Sequence, residues 1–232
     1  MIPKTLFTTY KPDINNNPEC NDIVKVWREL NPTWDVKYFS DDDVALFFEQ
    51  HKLGAEAYDV LVNGTAIADW FRICYIHACG GLWFDFDLGP FNVDEKIPTE
   101  MLDTNACFVD FGFKNISYML IAGEKNSPIF EKAIQSISQN IMSEKVRIQG
   151  KDIFPGMHVQ GPKAFQHVVA KYFDVDCRRG NGFPANDTPT EYLSTSGDMS
   201  FKYVKVNGIR RKNPKFIRLR NNINGRHWKD CL

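Results

Sequence analysis

Apolar positions along the chain repeat in two ways, every second residue in some stretches and every three to four in others. Lys4 to Tyr10 is rich in Thr, Phe and Tyr and predicts a first strand. Pro12 to Pro18, with three consecutive asparagines, predicts a loop. From Asn21 to Leu30, Ile23, Val24, Val26, Trp27 and Leu30 form a helical stripe that Asn31-Pro32 ends. Trp34, Val36 and Tyr38 then alternate with Asp35 and Lys37, so Trp34 to Phe39 predicts a second strand. Ser40 precedes three aspartates, which reads as a cap followed by acids at the positive end of a helix rather than as a metal site. Ala55 to Ala78 predicts one or two helices stopped by Gly80-Gly81, and Leu82 to Leu88 a further strand. Later strands are expected at Ala106 to Phe111, Ser117 to Ala122, Lys202 to Val206 and Phe216 to Arg218. Helices are expected from Ser127-Pro128 through Met142, with Pro128 in the first turn, and from Pro162 to Tyr172. Strands separated by helices predict an α/β sheet covered on both faces. No repeat, low-complexity tract or linker divides it, so one domain over residues 1–232 is expected.

Composition narrows the function. The 232 residues are 43% hydrophobic and 13% aromatic with a net charge of -1, which excludes large-scale disorder and argues against nucleic acid as a partner. The six cysteines, Cys20, Cys74, Cys79, Cys107, Cys177 and Cys231, contain no C-x-x-C pair and read as reduced thiols. The first residues have no secretory apolar core, and no run reaches the roughly 18 apolar residues that span a bilayer. A soluble, cytoplasmic protein is expected, and the sequons at Asn63, Asn115 and Asn186 are then chance matches. Phe201 to Leu232 holds ten Lys or Arg against one acid, Asp230: a solvated basic face, or a patch for an anionic ligand, an acidic acceptor or a peripheral membrane contact.

The segment Leu82-Trp83-Phe84-Asp85-Phe86-Asp87-Leu88 bears the chemistry. In a strand Asp85 and Asp87 share a face while Leu82, Phe84, Phe86 and Leu88 share the other. Two carboxylates within ~7 Å repel each other unless a cation or solvent lies between them. Gly89-Pro90 ends the strand, so both acids lie near its carboxyl end, where open α/β sheets bind ligands. Hard oxygen donors without thiolates or clustered histidines suit Mn²⁺ or Mg²⁺, which can stabilise a departing diphosphate. Upstream, Asp69 and Arg72 stand at i and i+3 on one helix face, within the apolar run Trp70, Phe71, Ile73, Tyr75 and Ile76. A buried pair of this kind needs further partners, and ribose hydroxyls for Asp69 with phosphate or a carboxylate for Arg72 would supply them. His51, His77 and His167 fall in helical patterns and read as structural, whereas His158 precedes Gln160 in a loop.

Ala68-Asp69-Trp70-Phe71-Arg72, followed after seven residues by Gly80-Gly81-Leu82-Trp83-Phe84-Asp85-Phe86-Asp87, resembles the D-x-D sugar-binding region of glycosyltransferase family 32. Ile2 to Phe7 and Asn31 to Val36 look like that family's first two strands, Val159-Gln160-Gly161-Pro162 its T-G-P segment, and Gly225-Arg226-His227-Trp228 its closing element. The resemblance implies a GT-A type fold: a single Rossmann-like nucleotide-sugar-binding domain with a mixed central sheet. It implies a hexosyltransferase that takes a UDP- or GDP-hexose donor, uses Mn²⁺ or Mg²⁺, serves a glycan or glycoprotein acceptor, and retains anomeric configuration. By the same resemblance Asp87 ligates the metal, Asp85 contacts ribose and the metal shell, and Asp69 and Arg72 bind the donor. Thr8, Thr9 and Tyr10 would lie near the base. Gln160 would line the anomeric carbon. His227 would complete the metal shell or touch the diphosphate, and Trp228 would touch substrate or serve as a packing anchor. The departures are the missing membrane anchor, which suggests a bacterial or viral cytosolic enzyme, Trp83 where Tyr is common, and Gln160 in place of Thr. Two other classes compete. A metal-dependent phosphatase or sugar-diphosphate hydrolase would place D-x-D in its first strand before Thr or Val, unlike Leu88-Gly89 here. A non-catalytic nucleotide-sugar-binding module would keep the fold and lack turnover.

Overall fold

In a computed structural model, residues 1–10, 18–86, 88, 102–110, 116–150, 158–174 and 190–205 are described. Strand β1 (Thr5–Thr9) has a central Leu6-Phe7-Thr8 buried on both faces, as an interior parallel strand requires. Helix α1 (Pro18–Leu30) leads to β2 (Asp35–Phe39), which pairs in parallel with β1. Helices α2 (Asp41–His51), α3 (Ala55–Tyr58) and α4 (Gly64–Cys79) then carry the chain to β3 (Gly81–Phe84), parallel to β1 on its other side. Strands β4 (Ala106–Asp110) and β5 (Leu120–Gly123), helices α5 (Pro128–Ser143), α6 (Lys145–Gln149) and α7 (Pro162–Phe173), and strands β6 (Thr190–Leu193) and β7 (Ser200–Lys205) follow.

The seven strands form one mixed sheet in the order β2-β1-β3-β5-β4-β7-β6. β5 runs antiparallel to both β3 and β4, β4 pairs in parallel with β7, and β6 is antiparallel to β7. Strand alternation divides the core in two. Phe7, Trp83, Phe108 and Ile121 face one layer with α4, α5 and α7, whereas Leu6, Leu82, Phe84 and Ala122 face the other, where Trp27 of α1 lies 4.8 Å from the Phe84 ring. The expected α/β architecture with helices on both faces of a mixed sheet is the one observed.

Local signals explain much of the element placement. Ser40 and Asp43 form a reciprocal capping box at α2, so this acidic run serves a helix end as expected. Asn63 caps α4 through its side-chain oxygen, which gives that sequon a structural role. Gly80 has φ +72° and leaves no room for a Cβ, with Pro3 at 2.8 Å and the Lys125 backbone at 2.9 Å. The close approach lets α4 turn directly into β3 alongside the N-terminal segment. Cys20, Cys74, Cys79 and Cys107 are free thiols. Among the described residues no helix is long and apolar enough to cross a membrane.

Ala55 to Ala78 is two helices, α3 and α4, within the expectation of one or two, whereas other features differ from the sequence reading. The strand expected from Leu82 to Leu88 ends at Phe84: the Asp85 N–H still donates to Met119 O at 2.8 Å, but Leu88 N–H turns back to Asp85 O at 2.8 Å. The D-x-D segment therefore begins on a turn rather than on one strand face. The strand expected from Ser117 starts only at Leu120, and α6 and β6 are additional elements. Phe216 to Arg218 lies outside the described residues.

Candidate functional site

At the carboxyl end of β3, one arginine is shared by two carboxylates. α4 presents Asp69 and Arg72 on one face toward the sheet, and both are buried. Arg72 Nη2 lies 2.8 Å from Asp69 Oδ1, and its Nη1 donates to Asp85 Oδ1 at 3.0 Å. Nη1 also donates to the Tyr118 carbonyl, and Nε donates to Ala68 O at 3.3 Å. The guanidinium lies 4.4 Å from the Trp83 ring centre and 4.8 Å from that of Tyr118. Trp83 Nε1 donates to the same Asp85 Oδ1 at 2.9 Å. Gln160, in the turn before α7, hydrogen-bonds Asp69.

One cation does not neutralise two acids. Burial pushes Asp69 up to about 7, the Arg72 charge pulls it down, and Asp85 raises it again. Burial likewise holds the Tyr118 phenol well above its ordinary range. The cluster thus joins a proton-accepting acid, a fixed cation and a more open carboxylate: 27% of the Asp85 side chain is accessible.

Residues 17–102 match the family model described as the glycosyltransferase sugar-binding region containing the DXD motif. Among solved structures it is similar to one described as PaToxG glycosyltransferase, at 12% identity and a TM-score of 0.53, covering 73% of this chain and 68% of that one. A UDP-bound glycosyltransferase domain from the YGT toxin matches at 12% identity and a TM-score of 0.46, over 73% of this chain and 67% of that one. No curated protein matches the chain in sequence. The match in sequence supports the expected enzyme class, a glycosyltransferase, and the likeness in structure supports the fold. The match is to the DXD region and does not single out family 32.

The structure brings Asp69, Arg72 and Asp85 of the matched region into one cluster with Gln160 from outside it. Tyr10 stacks on Phe86, 4.5 Å between ring centres and 13° between planes, so the end of β1 is tied to the D-x-D turn. Thr9 Oγ1 donates to Phe39 O at 2.7 Å, fixing β1 to β2. Thr8 is fully buried, and its hydroxyl has no hydrogen-bond partner among the described residues. Asp87, His227 and Trp228 lie outside the described residues, as do Arg226 and Lys229.

Trp83 and Tyr118 are cluster members that motif reading did not assign to the site. Trp83 had a signal, since it stands two residues before Asp85 and strand alternation puts i and i+2 on one side. Tyr118 had none. It reaches Arg72 from 46 residues away, through the antiparallel register that sets Phe84 opposite Leu120.

Proposed function

We propose that the chain transfers a hexose from a UDP- or GDP-hexose to a glycan or glycoprotein acceptor, with retention at the anomeric carbon and with Mn²⁺ or Mg²⁺ as cofactor. The observation that carries this reading is the buried arginine shared by Asp69 and Asp85 at the carboxyl end of a parallel strand, inside the matched region. A buried charge cluster of this kind contributes little net stability by itself, so a ligand role accounts for it better than a structural one.

The donor set suits the ion. Among the described residues no three His, Cys, Asp or Glu side chains converge. Mg²⁺-type sites, however, commonly use one or two carboxylates and complete their shell with substrate phosphates and water. Asp85, partly accessible, and Asp87 would supply those carboxylates, with His227 as a further ligand. When bound, the ion would add positive charge where the diphosphate departs.

The protein's own residues divide the remaining work. Arg72 holds Asp85 in place and puts fixed positive potential beside the leaving group. Asp69 and Gln160 accept and donate hydrogen bonds to donor hydroxyls, with Gln160 beside the anomeric carbon. Thr8, Thr9 and Tyr10 border the base, and Trp228 packs against substrate. In the transfer step the bond from the anomeric carbon to the diphosphate oxygen breaks, and its electron pair leaves with the nucleoside diphosphate. The acceptor oxygen bonds the same face of that carbon, and its proton passes to the departing diphosphate. A single domain over residues 1–232, acting in the cytoplasm, with the basic C-terminal segment meeting an acidic acceptor or membrane surface, completes this reading.

Isothermal titration with UDP- and GDP-sugars, with and without Mn²⁺, tests it. Binding that strengthens with Mn²⁺ is expected for at least one donor, and Asp87→Asn should lose metal-dependent turnover while remaining folded. Folded protein that binds no donor, or Asp87→Asn with full activity at the same metal concentration, would rule the assignment out.

A further inference from the structure

A cleft of about 300 Å³ opens between α5 and α7, lined at one end by His158, two residues before the Gln160 that meets Asp69. That volume lies at the small end of the roughly 300–1,000 Å³ range of small-ligand pockets, too tight for a nucleotide sugar but ample for a phosphate group. Ser136 and Asn140 line it from one face of α5, and His167 and Lys171 from one face of α7. His158 closes one end. Among the described residues the lining polar groups are an ammonium, an amide, two hydroxyls (Ser136 and the Tyr172 phenol) and two imidazoles, and none is a carboxylate. Among the described residues, Lys163 and Lys171 enter none of the ion pairs.

Lys163 Nζ lies 3.3 Å from His158 Nε2, a ring nitrogen whose role follows the tautomer. The same contact brings a second ammonium to the edge of the cleft. We propose that this cleft binds a phosphate monoester dianion, gripped by Lys171, His158 and His167 with Ser136 and Asn140 as neutral donors. The dianion is free phosphate or the phosphoryl group of a sugar. The proposal stands apart from the donor site and does not depend on it.

The test follows histidine ring signals of the full chain by NMR, at fixed pH and constant ionic strength, without donor or divalent metal. Inorganic phosphate is titrated in one arm and glucose 6-phosphate in another. Saturable movement of the His158 and His167 signals is expected, with His51 and His77 unmoved. Lys171→Glu should weaken binding at least tenfold, Lys171→Gln by less, and Asp85→Asn should leave it unchanged. Lys171 is exposed, so both of its variants should fold. Tighter binding of the sugar phosphate assigns the cleft to a phosphorylated sugar, and equal binding assigns it to free phosphate. No saturable shift in either arm, or a shift that Lys171→Glu leaves intact, overturns the proposal.

Discussion

Two acid–arginine pairs in this chain share the same three-residue spacing. Asp69 and Arg72 lie 2.8 Å apart in α4, and Glu144 and Arg147 lie 2.9 Å apart at the start of α6. By spacing and distance they are equivalent. They differ in surroundings: the Arg72 and Asp69 side chains are 5% and 12% accessible, against 57% for Arg147 and 33% for Glu144. Arg72 also meets Asp85, the Tyr118 carbonyl and two aromatic faces, all brought by the sheet. Spacing along a helix thus makes a pair, but only tertiary packing turns one into a site.

The largest test of this contrast removes the shared cation. Arg72→Met leaves two carboxylates without their partner and is expected to cost about 3–5 kcal/mol, the usual cost of breaking a buried pair on one side. Urea unfolding measures it. Arg72→Lys should fall between, because an ammonium cannot fork to two acids or stack on Trp83 in the same way. A loss below about 1 kcal/mol for Arg72→Met would put the α4 pair in the class of exposed ion pairs.

A second test uses pH. Asp69 is pushed up to about 7 in the folded state, against an ordinary value of 3.8. Between those values the folded chain holds a proton that the unfolded chain has released. Stability from this group is therefore full below about pH 4, declines as pH rises toward 7, and is flat above, a change on the order of a few kcal/mol. Glu124 works in the opposite sense, lowered by the N-terminal ammonium and Asn105, so the informative curve is wild type minus Asp69→Asn. That difference should slope through pH 4 to 7 when unfolding is measured in EDTA. A flat difference would mean that Arg72 keeps Asp69 ionised throughout.

The contrast also explains what the sequence could disclose. The α4 pair was readable because both residues and the apolar run around them lie within two helical turns. The Ser40–Asp43 capping box was readable for the same reason. The strand limit at Phe84 was not. The ladder stops there because its antiparallel partner β5 begins opposite, at Leu120, and only the Asp85 N–H bond to Met119 continues it. Tyr118 and Met119 turn across the end of β3 to meet Arg72 and Asp85, and no local period encodes a contact 46 residues away. Strand β6 is four residues at the sheet edge that alternate half-buried and exposed, and α6 is five residues with Val146 in solvent, so neither carries a strong apolar pattern.

The smallest expected effect is the most discriminating. In a double-mutant cycle of Glu144→Gln and Arg147→Ala the coupling energy should be about 0.3–0.5 kcal/mol, as for other exposed helix pairs. It should fade in 1 M salt, where the Debye length of about 3 Å is close to the separation of the two groups. The Asp69–Arg72 cluster is shielded from solvent, so its pH slope should survive the same salt. Coupling above about 1 kcal/mol at the exposed pair, or loss of the Asp69 slope in salt, would mean that burial is not what separates them. The ligand argument for the α4 cluster would weaken with it, because that argument rests on charges whose partners solvent cannot replace.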